Sequence, residues 1–230
     1  MRRRRTVKLD RRLPLLAALA TSVAIAACGG EPERPQAAPN PLLRPRQFTE
    51  TAPATYRVRL ETREGDVVIQ VHRAWAPLGA DRFYNLVRGG FYDDARVYRV
   101  VEGFMAQFGL NADPYVNQAW KTQYLVDDPV TESNTRGRVA FAKGGVHTRT
   151  TEVFISYKDN SALDEEGFAP IGEVVEGMDA VDAFHSGYGD GPPRGEGPYQ
   201  AMAQARGNEY LDADFPELSR IVRASVEPGP

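Results

Sequence analysis

The stretch YRVVEGFMAQFG, residues 98–109, gathers an arginine, a phenylalanine, a methionine and a glutamine within nine positions. Arg99 is a permanent cation with several donors, so it can act on a bound group without transferring a proton. Phe104 and Met105 add apolar surface, and Gln107 adds an amide that both donates and accepts. Taken alone, the same residues also fit core packing around an arginine whose stem is buried. Other chemistries find less support. His72, His147 and His185 are the only histidines and none stands at ligand spacing, which argues against a metal centre. There is no Gly-x-Ser-x-Gly elbow, and the single cysteine, Cys28, lies far toward the N-terminus. The acidic pairs Asp93-Asp94, Asp127-Asp128 and Glu165-Glu166 sit in polar, turn-like surroundings and read as solvated loop charge. The run GYGDGPPRGEGP carries five glycines and three prolines in twelve residues, but it lacks the Gly-Lys-Ser/Thr ending of a phosphate loop and reads as surface loop.

The surrounding pattern must hold these residues in place. Tyr56, Val58 and Leu60 alternate with polar neighbours, Arg63-Glu64-Gly65-Asp66 turns the chain, and Val67, Ile69 and Val71 alternate again, which predicts a hairpin. Pro77 then opens a helical pattern through Leu78, Phe83, Leu86 and Val87 that Gly89-Gly90 ends. Short strands are expected at 95–101, 104–108, 137–142, 152–156, 169–175 and 221–226, with a second short helix through Met178, Val181 and Phe184. Residues 110–136 and 185–208 are expected to be long loops. Many short strands without long crossovers predict an all-β antiparallel barrel or sandwich.

In that setting, residues 98–109 resemble the signature Phe/Tyr-x-Arg-Val/Ile-x-x-Gly-Phe-Met-x-Gln-x-Gly of the cyclophilin family of peptidyl-prolyl isomerases. Ala76-Pro77, Gly90-Phe91-Tyr92, GRVAFAKGG, TTEVFIS, Leu163-Asp164 and Gly172-x-Val174-x-x-Gly177-Met178 extend the resemblance from about Tyr56 to Phe184. It implies an eight-stranded antiparallel barrel capped by two α-helices, with an active site on the outer face and no cofactor. It also implies isomerisation of Xaa-Pro bonds in proline-containing polypeptides. Arg99 is then the catalytic donor and Gln107 its orienting partner. Phe104, Met105, Phe154 and Leu163 form the proline pocket, Phe168 stands near its rim, and Ala142, Lys143 and Gly144 offer backbone to the peptide. Two departures stand at the groove: Lys143 and Glu152 replace neutral family residues. Either these two pair with each other, or Glu152 captures Arg99. The second outcome would leave a catalytically weak module that binds proline peptides in the cell envelope.

The N-terminus predicts a destination. Residues 1–12 carry seven basic groups against Asp10, and residues 13–27 are apolar or small, as in a secretory signal peptide. Ile25-Ala26-Ala27-Cys28-Gly29 resembles a bacterial lipobox, so Cys28 is expected to become a lipidated N-terminus that anchors the chain to a membrane, on the periplasmic side of an outer membrane where one exists. Residues 28–55, with six prolines after Cys28, read as a tether, and 56–230 as the isomerase domain with a C-terminal extension. Without residues 1–27 the chain holds 21 basic and 30 acidic groups, net −9, which argues against nucleic acid as a partner. A monomer is expected.

Overall fold

The computed structural model describes residues 40–227; the expected signal peptide, Cys28 and the first part of the tether lie outside the described residues. The chain runs β1 (Thr55–Thr62), β2 (Asp66–His72), α1 (Pro77–Arg88), β3 (Ala95–Arg96), β4 (Arg99–Val101), β5 (Met105–Phe108), α2 (Pro114–Trp120) and β6 (Arg138–Phe141). It continues through β7 (Val153–Ser156), α3 (Ala162–Glu165), β8 (Pro170–Glu176), α4 (Met178–Asp182), α5 (Gln200–Arg206), α6 (Asn208–Asp214) and β9 (Arg220–Val226). All pairings are antiparallel, in the order β3-β9-β1-β2-β8-β6-β7-β5-β4.

The two edges of that order, β3 and β4, are separated in the chain only by Val97 and Tyr98, so the curled sheet meets itself as a barrel. One expected strand, 95–101, is thus two segments: its first part pairs with β9 and its second with β5. Among the described residues, nine segments therefore stand where eight strands were expected. The 221–226 strand does close the sheet, between β1 and β3.

Alternation divides the strands into two sets. Val58, Leu60, Val67, Ile69, Val71, Val100, Ala106, Phe108, Val139, Phe141, Val153 and Ile155 belong to one buried cluster, the barrel interior. Their neighbours point the other way, and on β4 to β7 that outer set is the candidate site. Pro77 begins α1, where its missing N–H costs nothing, and Phe83, Leu86 and Val87 bury its inner face. The free amides of Leu78 and Gly79 donate to the Asp128 carboxylate at 3.0 and 2.8 Å. Asp128 also meets Arg149 at 3.0 Å, and Asp127 pairs with Lys143 and Arg149, so Asp128 is a buried cap and this acidic pair is not solvated loop charge.

Two further expectations change. Residues 40–54 do not hang free: Leu42 is buried, its carbonyl accepts from Trp120 Nε1 at 2.8 Å, and Phe48 packs edge-on against Trp120. The 110–136 loop contains α2, which carries Trp120 into the core. The 185–208 loop contains α5, and α5 with α6 builds a second cluster of Tyr98, Leu110, Ala203, Tyr210, Leu211 and Leu218, with Tyr188 and Phe215 against it. The extension is therefore moored to the barrel through this cluster, which includes Tyr98 from between β3 and β4.

Candidate active site

The β-ladder explains why Arg99, Met105, Gln107 and Phe154 come together. Arg99 faces Gln107 across β4–β5, Gln107 faces Phe154 across β5–β7, and Phe154 faces Ala140 across β7–β6. Directly opposed residues share a face, so these side chains rise from the outer surface of the barrel. Gly109 ends the segment where β5 crosses the start of β7. With φ at +120°, a Cβ there would lie 2.5 Å from the Thr151 carbonyl oxygen, and only glycine tolerates both conditions.

Met105, Ala140 and Phe154 form a small cluster outside the barrel, with Val101, Phe104, Ala142, Leu163 and Phe168 against it. Phe154 and Phe168 stand edge to face with centroids 5.8 Å apart. Leu163 is set by a polar clamp beneath it: the Asp164 carboxylate accepts from Asn134 N and Nδ2 at 2.9 and 2.7 Å and from Ser133 Oγ. The result is an apolar pocket whose rim carries Arg99. Pocket, arginine and flanking loops enclose a groove of about 980 Å³.

Lys143 and Glu152 take neither of the expected arrangements. Lys143 Nζ meets Asp127 at 3.0 Å and lies over the Phe168 ring at 5.2 Å, so its charge is compensated within the protein. Glu152 is buried and accepts from Tyr98 Oη, from Gln107 Nε2 at 2.9 Å and from Gln200 Nε2 at 2.8 and 3.0 Å. Burial pushes its carboxyl above the usual range, and the bonds from Tyr98, Gln200 and Gln107, with the charge of Arg99, pull it partly back.

Arg99 is paired, but by Asp190. Its Nε and Nη2 donate to the two Asp190 oxygens at 2.7 and 3.1 Å, while Nη1 donates to Gln107 Oε1 at 2.9 Å. The bond from Arg99 holds the Asp190 carboxyl below the ordinary carboxylate range despite partial burial. All eleven groove residues expected from the sequence line this one cavity: Arg99, Phe104, Met105, Gln107, Ala142, Lys143, Gly144, Glu152, Phe154, Leu163 and Phe168. Asp190, Tyr199 and Gln200, which no spacing in the sequence singled out, form the opposite wall. The amides of Ala142 and Gly144 are engaged internally, with Glu152 O at 2.9 Å and Thr148 Oγ1 at 3.1 Å.

Comparison with known proteins agrees with this geometry. The family model described as cyclophilin type peptidyl-prolyl cis-trans isomerase/CLD matches residues 57–202. Peptidyl-prolyl cis-trans isomerase B of Escherichia coli is 33% identical over 134 residues, covering 54% of this chain and 81% of that protein. A peptidyl-prolyl cis-trans isomerase of Streptomyces antibioticus is 34% identical over 149 residues, covering 60% of this chain and 87% of that protein. Among solved structures, a cyclophilin type isomerase of Cryptosporidium parvum matches with a TM-score of 0.58 at 17% identity, covering 76% of this chain and 99% of its own.

Proposed function

This chain belongs to the cyclophilin-type peptidyl-prolyl cis-trans isomerases and is an enzyme of that kind, and from this premise we propose that it acts at the cell envelope on exported polypeptides, assisting their folding. The basic 1–12 segment, the apolar 13–27 segment and Cys28 support export and a lipid anchor. A monomer held by its lipidated Cys28 on the periplasmic face of the membrane would meet chains whose Xaa-Pro bonds are still equilibrating.

The observation that carries the mechanism is Arg99 at the rim of the pocket made by Phe104, Met105, Phe154 and Leu163. Rotation about an Xaa-Pro bond faces a barrier of ~18–20 kcal/mol because amide resonance must be broken. The twisted amide has a pyramidal nitrogen with a free lone pair and a smaller dipole than the planar form. An apolar pocket gripping the proline ring disfavours the planar, more dipolar state. An N–H of Arg99 donates to a lone pair that exists only in the twisted state, so both effects are differential. A charge-assisted hydrogen bond of about 1.5–3 kcal/mol supplies one or two decades of rate, and desolvation and positioning supply the rest. Main-chain pairing with the substrate at Ala142 and Gly144 runs through their carbonyl oxygens, since their amides are engaged.

Glu152 does not capture Arg99, since it is held by Tyr98, Gln107 and Gln200; Asp190 pairs with Arg99 instead, and the weak-binding alternative now turns on that pair. The test is the isomerisation rate of a short Xaa-Pro peptide with the full chain and with Arg99→Ala. The variant is expected to lose at least tenfold in kcat with its circular dichroism unchanged. An equally fast variant would remove Arg99 from the mechanism, and a folded but inactive parent would favour the binding module. Fractionation of producing cells, with Cys28→Ala releasing the chain from membranes, tests the anchor.

A further inference from the structure

We propose that Asp190, from the C-terminal extension, is a positioning residue for this isomerase, fixing the plane of the Arg99 guanidinium over the groove. The inference rests on Arg99 being the donor. A guanidinium has five N–H bonds in a rigid plane. Two of them, on Nε and Nη2, reach Asp190, and one, on Nη1, reaches Gln107. One N–H on each terminal nitrogen is left over, so the pairing takes none of the capacity the reaction needs. With Gln107 alone, a single bond at one nitrogen lets a long flexible side chain pivot. Three bonds on two edges do not.

Both partners are themselves fixed. Gln107 Nε2 donates to Tyr98 Oη at 2.5 Å and to Glu152 at 2.9 Å, so the barrel floor holds one edge of the guanidinium. Asp190 is held by its own loop: Oδ1 accepts from Gly191 N at 2.8 Å and its main-chain carbonyl accepts from Gly197 N at 2.9 Å. The loop folds back so tightly that a Cβ on Gly195 would lie 2.3 Å from the Asp190 carbonyl oxygen. The glycines and prolines thus build a finger rather than a slack connection, and its base is moored through Tyr188, Tyr210 and Phe215. Arg99 and Asp190 side chains are each 22% exposed, so the pair stands at the edge of the cavity, open to a peptide on one side. A misplacement of about 1 Å in a catalytic group costs on the order of a hundredfold in rate, which is the scale on which a second anchor acts.

The pairing also draws off part of the cation's field, and the experiment separates that effect from positioning. Full-length Asp190→Ala, Asp190→Asn and, as a control on the exposed part of the finger, Glu196→Gln are compared with the parent on an Xaa-Pro peptide. Positioning predicts that Asp190→Ala loses at least tenfold in kcat with KM within twofold, that Asp190→Asn, which keeps an acceptor for Nε, stays within threefold, and that Glu196→Gln is unchanged. The Arg99 Nε–H resonance should be sharp in the parent and Asp190→Asn and broadened in Asp190→Ala. If Asp190→Ala does not fold, Asp190→Ser replaces it, because a hydroxyl can cap Gly191 N but cannot bridge two guanidinium nitrogens. A rise in kcat in the Ala or Ser variant would mean that the pair is a brake, and an unchanged kcat that the contact is inert; either result overturns the proposal. An active Arg99→Ala would instead sink the underlying mechanism, independently of Asp190.

Discussion

The two walls of the groove are built on different principles. The floor comes from β4, β5, β6 and β7, where every second residue is committed to the barrel interior and the alternate ones to the site. The far wall comes from a loop and two short helices between α4 and β9, moored by a separate apolar cluster. Floor geometry is a by-product of folding the barrel, whereas wall geometry depends on local turns and one small core. Stability and function are therefore coupled in the floor and separable in the wall.

The largest expected effect tests that difference directly. Phe108 is fully buried in the barrel and edge-on to Tyr92, so Phe108→Ala is expected to cost about 3–5 kcal/mol and to lower the global unfolding midpoint. Leu211 is buried in the satellite cluster. Leu211→Ala is expected to cost about 2–5 kcal/mol of that cluster's local stability, exposing amides of α5 and α6 to hydrogen exchange while the strands stay protected. Equal loss of protection in strands and extension would show that the two walls are one cooperative unit. Next in size is Gly109→Ala, at the crossing of β5 and β7. Its φ of +120° and the 2.5 Å approach to Thr151 O make a loss of roughly 2 kcal/mol or more expected, read as a lower denaturant midpoint.

The grouping of the floor residues was legible because its signal is local, while their roles came from the resemblance, since the same residues alone also fit core packing. Arg99, Met105 and Gln107 lie within nine residues, and period-2 alternation with one glycine turn is enough to put them on one surface, whereas Phe104, in the turn before β5, falls outside that alternation. Phe154, Leu163 and Phe168 were legible only through the resemblance, since nothing near them in the chain states that they meet Met105. The wall was not legible. Asp190 sits among glycines and prolines, and its partner is 91 residues away in the chain. The loop's composition specifies tight turns, but turns do not say what they face. The same limit hid Asp128, whose helix-capping role depends on α1, 49 and 50 residues earlier. The two outcomes foreseen for Glu152 and Lys143 failed for one reason: each took its partner from elsewhere in the chain, Gln200 for the first and Asp127 for the second.

Besides the Arg99–Asp190 pair, the two walls touch at Glu152, because its carboxylate accepts from Gln107 on the floor and Gln200 on α5. Its folded pKa is raised, chiefly by burial, so the folded state holds the proton more tightly than the unfolded chain. The stabilisation associated with that proton is fully present below the unfolded carboxyl pKa and is lost as pH rises through the folded one. Above that raised folded pKa the site carries a buried charge whose cost its hydrogen bonds only partly offset. Glu152→Gln removes that charge while keeping an acceptor for Tyr98 and Gln107. The variant is expected to gain stability relative to the parent as pH rises from the ordinary carboxyl range through the raised folded pKa, with the difference shrinking again in acid. The gain should be the smallest of these effects, since Gln200 must turn its amide to meet the new one. Paired urea melts across that range measure it. A variant that loses ground as pH rises would mean that the carboxylate is stabilised in place and that the charge itself joins floor to wall.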